Sequence, residues 1–289
     1  MQVTRDLDRG RATPEAVDEQ RAKDLAELVE VQLAAGLELI ADGMLAWQDL
    51  FRPLVEASEG LEPGPLTRFL DTNSFYRAPH ATGVQPKLAE PLDERYVAPL
   101  PGPRLVMLPS PFAFSKGTGI PPAVLAEGVL KPQLEVLDAR LIVLSEPFLA
   151  RSETPEQALG NLSDALEKLA GPVTLVLQIT FADVGALLPR LAELPVDGIG
   201  VDFYATPIEA VPEDLDKLLL AGVVDARSSA LEDPQELAAF ARRLLEERGV
   251  RELALVPNGD LQYVPERIAR EKLVRLGRAK TAVATEAAA

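Results

Sequence analysis

Seven short apolar segments, each closed by a polar turn and most followed by an amphipathic stretch, constrain this chain more than any other feature. They are Glu38–Ala41, Arg104–Leu108, Leu141–Leu144, Val173–Ile179, Gly198–Phe203, Val223–Arg227 and Leu253–Val256. A short run that is apolar throughout suits a strand buried on both faces, and regular alternation with helices makes a parallel sheet the natural arrangement. The helices carry their own start signals. Thr154-Pro155-Glu156-Gln157 has the form of a capping box with proline at the first helical position, ahead of Leu159, Leu162, Leu166 and Leu169. Asp233-Pro234-Gln235-Glu236 repeats the device before Leu237, Phe240, Ala241, Leu244 and Leu245, and Gly249 ends that helix.

This pattern predicts an α/β fold of the TIM-type (β/α)8 barrel class, a single domain over residues 1–289, with an open doubly wound sheet as the rival. An eighth strand should precede the helix Pro14 to Ala35, where only MQVTRDLD stands. Either Val3 and Thr4 make a vestigial strand or the first strand is missing. The Pro-rich segment 44–103 after strand two far exceeds the roughly two to six residues of an ordinary strand-to-helix connection, and predicts a lid over the barrel mouth. Residues 281–289, TAVATEAAA, read as a frayed tail.

Charge and composition exclude several classes. Lys and Arg total 29 against 45 Asp and Glu, a formal charge of −16, so a phosphate backbone is repelled and a nucleic-acid partner is not expected. No apolar run approaches the roughly 18 residues needed to cross a bilayer, and MQVTRDLDRGR lacks the apolar core of a signal peptide, which predicts a cytoplasmic protein without a membrane partner. With no cysteine there are no disulfides, thiolate nucleophiles or thiolate metal ligands. His80 is the single histidine, and no lysine stands at a strand end to form a Schiff base. Ser115-Lys116-Gly117-Thr118-Gly119 reads as a flexible loop rather than a phosphate cradle.

Function in such a barrel collects where strands end. Those positions hold Asp42, Ser110, Ser145, Glu146, Gln178, Thr180, Asp202, Asp225, Arg227, Asn258 and Asp260, a polar and mostly acidic ring. Clustered carboxylates can bind an amino group or shift one another's pKa, or they can simply cap helices. From the lid, Trp47 and Tyr76 offer a stacking surface, and Asp49, Asn73 and Arg77 are expected to face the pocket. The candidate ligand-binding set is therefore Asp42, Trp47, Asp49, Asn73, Tyr76, Arg77, Ser110, Glu146, Gln178, Asp202 and Asn258. No catalytic residue and no metal-ligand set stands out.

ADGMLAWQDLF (41–51), GPLTRFLDTNSFYRAP (64–79), MLPSPFAFS (107–115), IVLSEPFL (142–149), LPVDGIGVDF (194–203), AGVVDAR (221–227) and VPNGDLQYVP (256–265) together resemble the cobalamin-independent methionine synthase family, in order along nearly the whole chain. The resemblance implies a (β/α)8 barrel that transfers a methyl group from a folate, or in short forms a corrinoid, to homocysteine held as a zinc thiolate. The family's zinc ligands, a His-x-Cys pair, a Glu and the Cys of a Pro-Asp-Cys-Gly elbow, fall on Gln178, Thr180, Asp202 and Gly259. Only Asp202 is a zinc donor, so no zinc is expected. The family's Asp-Glu-Pro motif reads Ser145-Glu146-Pro147, and Met44 stands where a glutamate follows the glycine of strand two. Two functions follow as expectations. One is a divergent, zinc-free methyltransferase-like barrel that binds a small amino acid or pterin, with Asp42, Glu146 and Asp202 as anchors. The alternative is a non-catalytic barrel, similar to the family's N-terminal half, that docks a zinc-bearing homologous barrel.

Overall fold

The apolar runs become six parallel strands in sequential order, namely β1 (Leu105–Pro109), β2 (Leu141–Glu146), β3 (Thr174–Ile179), β4 (Gly198–Asp202), β5 (Leu218–Val224) and β6 (Glu252–Pro257). They belong to a computed structural model that describes residues 2–287. Each strand hydrogen-bonds to the next in register, from Leu105 beside Leu141 to Glu252 beside Leu218. Every residue of β2 and β4 is buried, as their unbroken apolar character requires.

The two faces of the sheet are covered differently. One packs against the helical layer in a large core that includes Ile142, Leu144, Leu177, Ile199 and Leu219 from the strands and Leu162, Leu166 and Leu244 from the helices. On the other face Leu141, Val143, Val176 and Leu220 form a smaller cluster whose partners are Leu39, Leu105, Met107, Leu218, Ala254 and Val256. Among the described residues no helical hydrophobic side chain belongs to that cluster, yet Val176 and Val143 are 0% and 1% exposed. A strand surface can lose its water this way only where the sheet curls around and meets itself.

The outer layer is made of α1 (Gln2–Asp8), α2 (Pro14–Ala34), α3 (Pro155–Leu169), α4 (Pro234–Glu247) and α5 (Glu266–Ala287), with shorter helical turns between strands. Thr13 caps α2 by accepting from Ala16 N at 3.3 Å, and Asp233 caps α4 by accepting from Gln235 N at 2.7 Å. Helix α3 begins at Pro155 as the sequence predicts, but the Thr154 side chain makes no capping bond. Gly249 takes φ +65° after α4, the left-handed turn that glycine makes without strain.

Four expectations are corrected. Val3 and Thr4 lie in helix α1 and not in a strand. Glu38–Ala41 contributes one bridge, Ile40 beside Arg104, and no ladder, so the sheet has six strands and this bridge among the described residues. The strand expected at Val223–Arg227 lies at Leu218–Val224. Its run Leu-Leu-Leu-Ala-Gly-Val-Val is buried on both sides and shows no alternation to fix its limits, and Gly222 belongs inside it because a Cβ there would come 2.7 Å from Val201 O and 2.9 Å from Asn258 Cα. The supposed tail continues α5 through Ala287, and its last two residues lie outside the described part.

Candidate functional site

Side-chain alternation decides which strand-end groups share a face. Leu141 and Val143 of β2 belong to the inner cluster, so Ser145 follows them inward and Glu146 turns outward. Val176 of β3 carries Gln178 inward, and Gln178 lies beside Gly200, two residues before Asp202 on β4. The Gln178 side chain crosses Gly200 so closely that a Cβ there would come 2.7 Å from its Cγ.

Gln178, Asp202 and Asn258 form a connected group at this inner rim. Asn258 Nδ2 donates to Asp202 Oδ1 at 3.0 Å, Asn258 Oδ1 accepts from Ala226 N at 2.9 Å, and Gln178 Nε2 donates to Pro257 O at 3.2 Å. Tyr204 N also donates to Asp202 Oδ1, at 2.9 Å. Asp202 is wholly buried, and its other oxygen, Oδ2, has no hydrogen-bond partner. Burial pushes the Asp202 carboxyl above the usual carboxylate range, and the bonds from Asn258 and Tyr204 and the charge of Arg227 oppose the shift only in part. Asp260, in the turn after β6, is also pushed up by burial.

Phe181 closes this rim. Its φ is +56°, a left-handed conformation that costs a bulky residue roughly 1–2 kcal/mol, and Arg151 donates to both its carbonyl and that of Pro147. The ring stands over Gly259, where a Cβ would come 2.3 Å from Cζ. Arg227 lies 4.4 Å above the ring and Tyr263 meets it edge-on at 5.8 Å. Burial raises the Tyr263 phenol above its ordinary range. Phe181 was not a sequence candidate, and the Asn-Gly pair of the Pro257-Asn258-Gly259-Asp260 elbow gives no hint of a ring held above it.

Ser110 and Glu146 form a separate pair on the outward side. Glu146 is fully buried and takes four donors, namely the Ser110 hydroxyl, Ala113 N at 3.1 Å, Phe148 N at 2.7 Å and Leu149 N at 2.8 Å. These use the roughly four acceptor positions of a carboxylate. Burial still pushes its pKa up, against the effect of the four bonds. In this geometry Glu146 joins the turns after β1 and β2 and has no lone pair to offer a ligand. The signal was available, since position 146 has the opposite parity to Leu141 and Val143.

The remaining candidates lie in segment 44–103, which folds into a short helix, Arg52–Glu56, and a hairpin, Leu61–Arg68 with Phe75–Ala81. Asp42 accepts from Met44 N and Ala98 N and lines a cavity of about 330 Å³ together with Asp18, Arg21, Arg95 and Tyr96. Trp47 donates to the Tyr96 carbonyl at 2.8 Å, on this same side. Asp49 accepts from Phe51 N, Arg52 N and Arg77 N, which ties the hairpin to the short helix, and the Arg77 guanidinium donates to Gly64 O across the hairpin. Asn73 is exposed in the hairpin turn. Tyr76 is buried in an aromatic cluster with Phe51, Phe69 and Phe148, and burial and the Asp49 charge raise its pKa. The hairpin turn reaches the rim, because Asp71 is 3.8 Å from Arg227. The structure thus gathers the candidates into three places: Gln178, Asp202 and Asn258 inside; Ser110 and Glu146 outside; and Asp42 with Trp47 beside α2.

A curled parallel sheet ringed by helices, with its polar groups at the strand ends, defines an α/β protein of the barrel type. Residues 126–248 match the model of the N-terminal domain of the cobalamin-independent synthase. A 5-methyltetrahydropteroyltriglutamate–homocysteine methyltransferase of Mycobacterium leprae is 31% identical over 202 residues, 62% of this chain and 26% of that protein. A methionine synthase of Sulfolobus acidocaldarius is 26% identical over 141 residues, 47% of this chain and 41% of that protein. The chain therefore spans about a quarter of the length of the Mycobacterium relative. A B12-independent methionine synthase from Shewanella, solved with selenomethionine, superposes with a TM-score of 0.79 at 17% identity, covering 96% of this chain and 92% of that one. The chain carries a methionine-synthase-like domain, homologous to the cobalamin-independent methionine synthases. Among the described residues no helix is long and apolar enough to cross a membrane.

Proposed function

We propose that the domain is a zinc-free relative of the methionine synthases that binds a small amino-acid or pterin-type ligand at the inner rim, under residues 61–81 as a lid. The observation that carries this reading is the unpartnered, buried Asp202 Oδ2. A lone buried carboxylate oxygen costs free energy that a donor from a ligand would recover.

The rim does not suit zinc. The corresponding positions offer an amide, a hydroxyl, one carboxylate and a glycine, and the space above that glycine is filled by the Phe181 ring. Among the described residues no group of three His, Asp or Glu side chains could hold a metal ion. Without a Lewis acid, a substrate thiol of pKa near 8.5 stays mostly protonated at neutral pH, so thiol methylation is handicapped. Any methyl donor would be a folate or a corrinoid. A second reading, a non-catalytic barrel that docks a zinc-bearing homologue, is favoured by the match of residues 126–248 to an N-terminal synthase domain.

Elemental analysis after dialysis, with a thermal-shift screen against homocysteine, methionine and 5-methyltetrahydrofolate, tests both readings. We expect no stoichiometric zinc and a ligand-dependent gain of about 2.7 kcal/mol at 100 times the dissociation constant. About one zinc per chain, lost in Asp202→Ala, would overturn the zinc-free reading. Silence across the screen, with tight association to a zinc-bearing homologue, would favour the second.

A further inference from the structure

The Arg227 guanidinium makes no hydrogen bond among the described residues. Its one ion pair, with Asp71 at 3.8 Å, joins a side chain 38% exposed to one 80% exposed, an arrangement that holds little and is easily displaced. The backbone beneath it is fixed. Asp225 Oδ1 accepts from Arg227 N at 2.9 Å, Glu232 accepts from Asp225 N at 2.9 Å, and Lys272 holds Glu232 at 2.7 Å. The guanidinium carbon lies 4.4 Å from the centroid of the Phe181 ring, a cation–π contact that consumes none of its N–H donors. Asn258 sets its position relative to Asp202, bonding Asp202 with one end of its amide and Ala226 N, next to Arg227, with the other.

We infer that Arg227 is a specificity-determining residue of the rim, the anchor for an oxyanion such as a carboxylate on a small dipolar ligand whose N–H donor reaches the unpartnered Asp202 oxygen. This rests on the ligand-binding reading above and adds a requirement, two ends of opposite character and no thiol. A simple anion is not the expected ligand, because Asp71 pairs with Arg227 and the charges of Asp225 and Asp260 act within the same rim. Phe181 supplies an apolar floor in the space that any side chain at position 259 would need.

Isothermal titration of the full chain with L-alanine, L-norvaline and L-norleucine, each beside its carboxamide and its N-acetyl derivative, separates the two ends without sulfur. We expect each acid that binds to bind about 10- to 100-fold more tightly than its amide, the span of a lost charge-assisted bond. Arg227→Gln should abolish this preference and Arg227→Lys should keep part of it, with melting temperatures near that of the wild type because the side chain is exposed. N-acetylation should weaken binding in the wild type and in Arg227→Gln alike, since it acts at Asp202. If acids and amides bind equally, or Arg227→Gln keeps the preference, the assignment of Arg227 falls while ligand binding stands. If no acid of the series binds, the assignment also falls, and the folate arm of the thermal-shift screen then decides the ligand-binding reading separately.

Discussion

Replacing Lys272 with methionine should destabilise the domain far more than its place on a terminal helix suggests. Lys272 is 0% exposed, and its ammonium donates to Ala230 O at 2.7 Å and to both oxygens of Glu232 at 2.7 and 2.9 Å, which accounts for all three N–H groups. Glu232 is 8% exposed and also accepts from Asp225 N and the Tyr204 hydroxyl. Lys272→Met keeps most of the buried stem but leaves a carboxylate and a carbonyl without their cation. Breaking one side of a buried pair costs about 3–5 kcal/mol, whereas removing both sides is often nearly neutral. At about 2–4 °C per kcal/mol, the melting temperature should fall by about 6 °C or more. The assay is a double-mutant cycle of Lys272→Met, Glu232→Gln and the pair by urea denaturation, with amide exchange across residues 225–233. We expect the double variant to be more stable than Lys272→Met alone and the exchange to rise in that loop first. A Lys272→Met loss below about 1 kcal/mol, with the two changes simply adding, would refute the reasoning.

Three further outcomes follow from the strand ends. Gly259→Cys should be strongly destabilising through collision with Phe181, and Phe181→Ala in the same chain should recover part of the loss; the melting temperatures of the two single variants and the double variant check this. Asp202→Asn should be more stable than the wild type at neutral pH. The folded-state pKa of Asp202 is raised, so the folded wild type holds its proton more firmly than the unfolded chain, and its stability falls as pH climbs from the unfolded value toward the folded one; the advantage of the variant should therefore shrink in acid, as denaturation at several pH values would show. Glu146→Ala should cost about 3 kcal/mol, because four buried donors lose their acceptor at once, and chemical denaturation measures it.

Much of this arrangement was legible in the residues. The limits of β2, β3 and β4 followed from apolar runs with polar ends, and the start of α4 from Asp233-Pro234. Asp202 and Asn258 were visible as polar groups closing such runs. Strand β5 was misplaced because a strand buried on both faces has no period to mark its ends. Arg227 stood in the strand-end ring, but its platform did not, since nothing in Ile179-Thr180-Phe181 announces a left-handed phenylalanine held by Arg151 from another loop. Lys272 reads as an ordinary exposed residue of an amphipathic helix, and only the approach of the loop at 230–232 buries it. Glu146 shows a legible position with an illegible partner set, because its donors come from two turns that the sequence does not bring together.

Strand β6 ends the ladder, and its residues from Leu253 to Pro257 are only half-buried, unlike those of β2 and β4. Across that side the ring is joined by helices, with Arg270 on Glu27 at 2.6 Å, Lys280 on Glu38 at 3.1 Å, and Gly277 so close to α2 that a Cβ would come 1.8 Å from Ala35 O. Among the described residues the closure is thus a clasp made by α5 on α2 and the turn that follows it, with no seam of strand hydrogen bonds. Pulled from its two ends, such a molecule should release the clasp first and lose its strands singly from the β6 side, whereas a ring sealed by strands all round would have to yield as one unit.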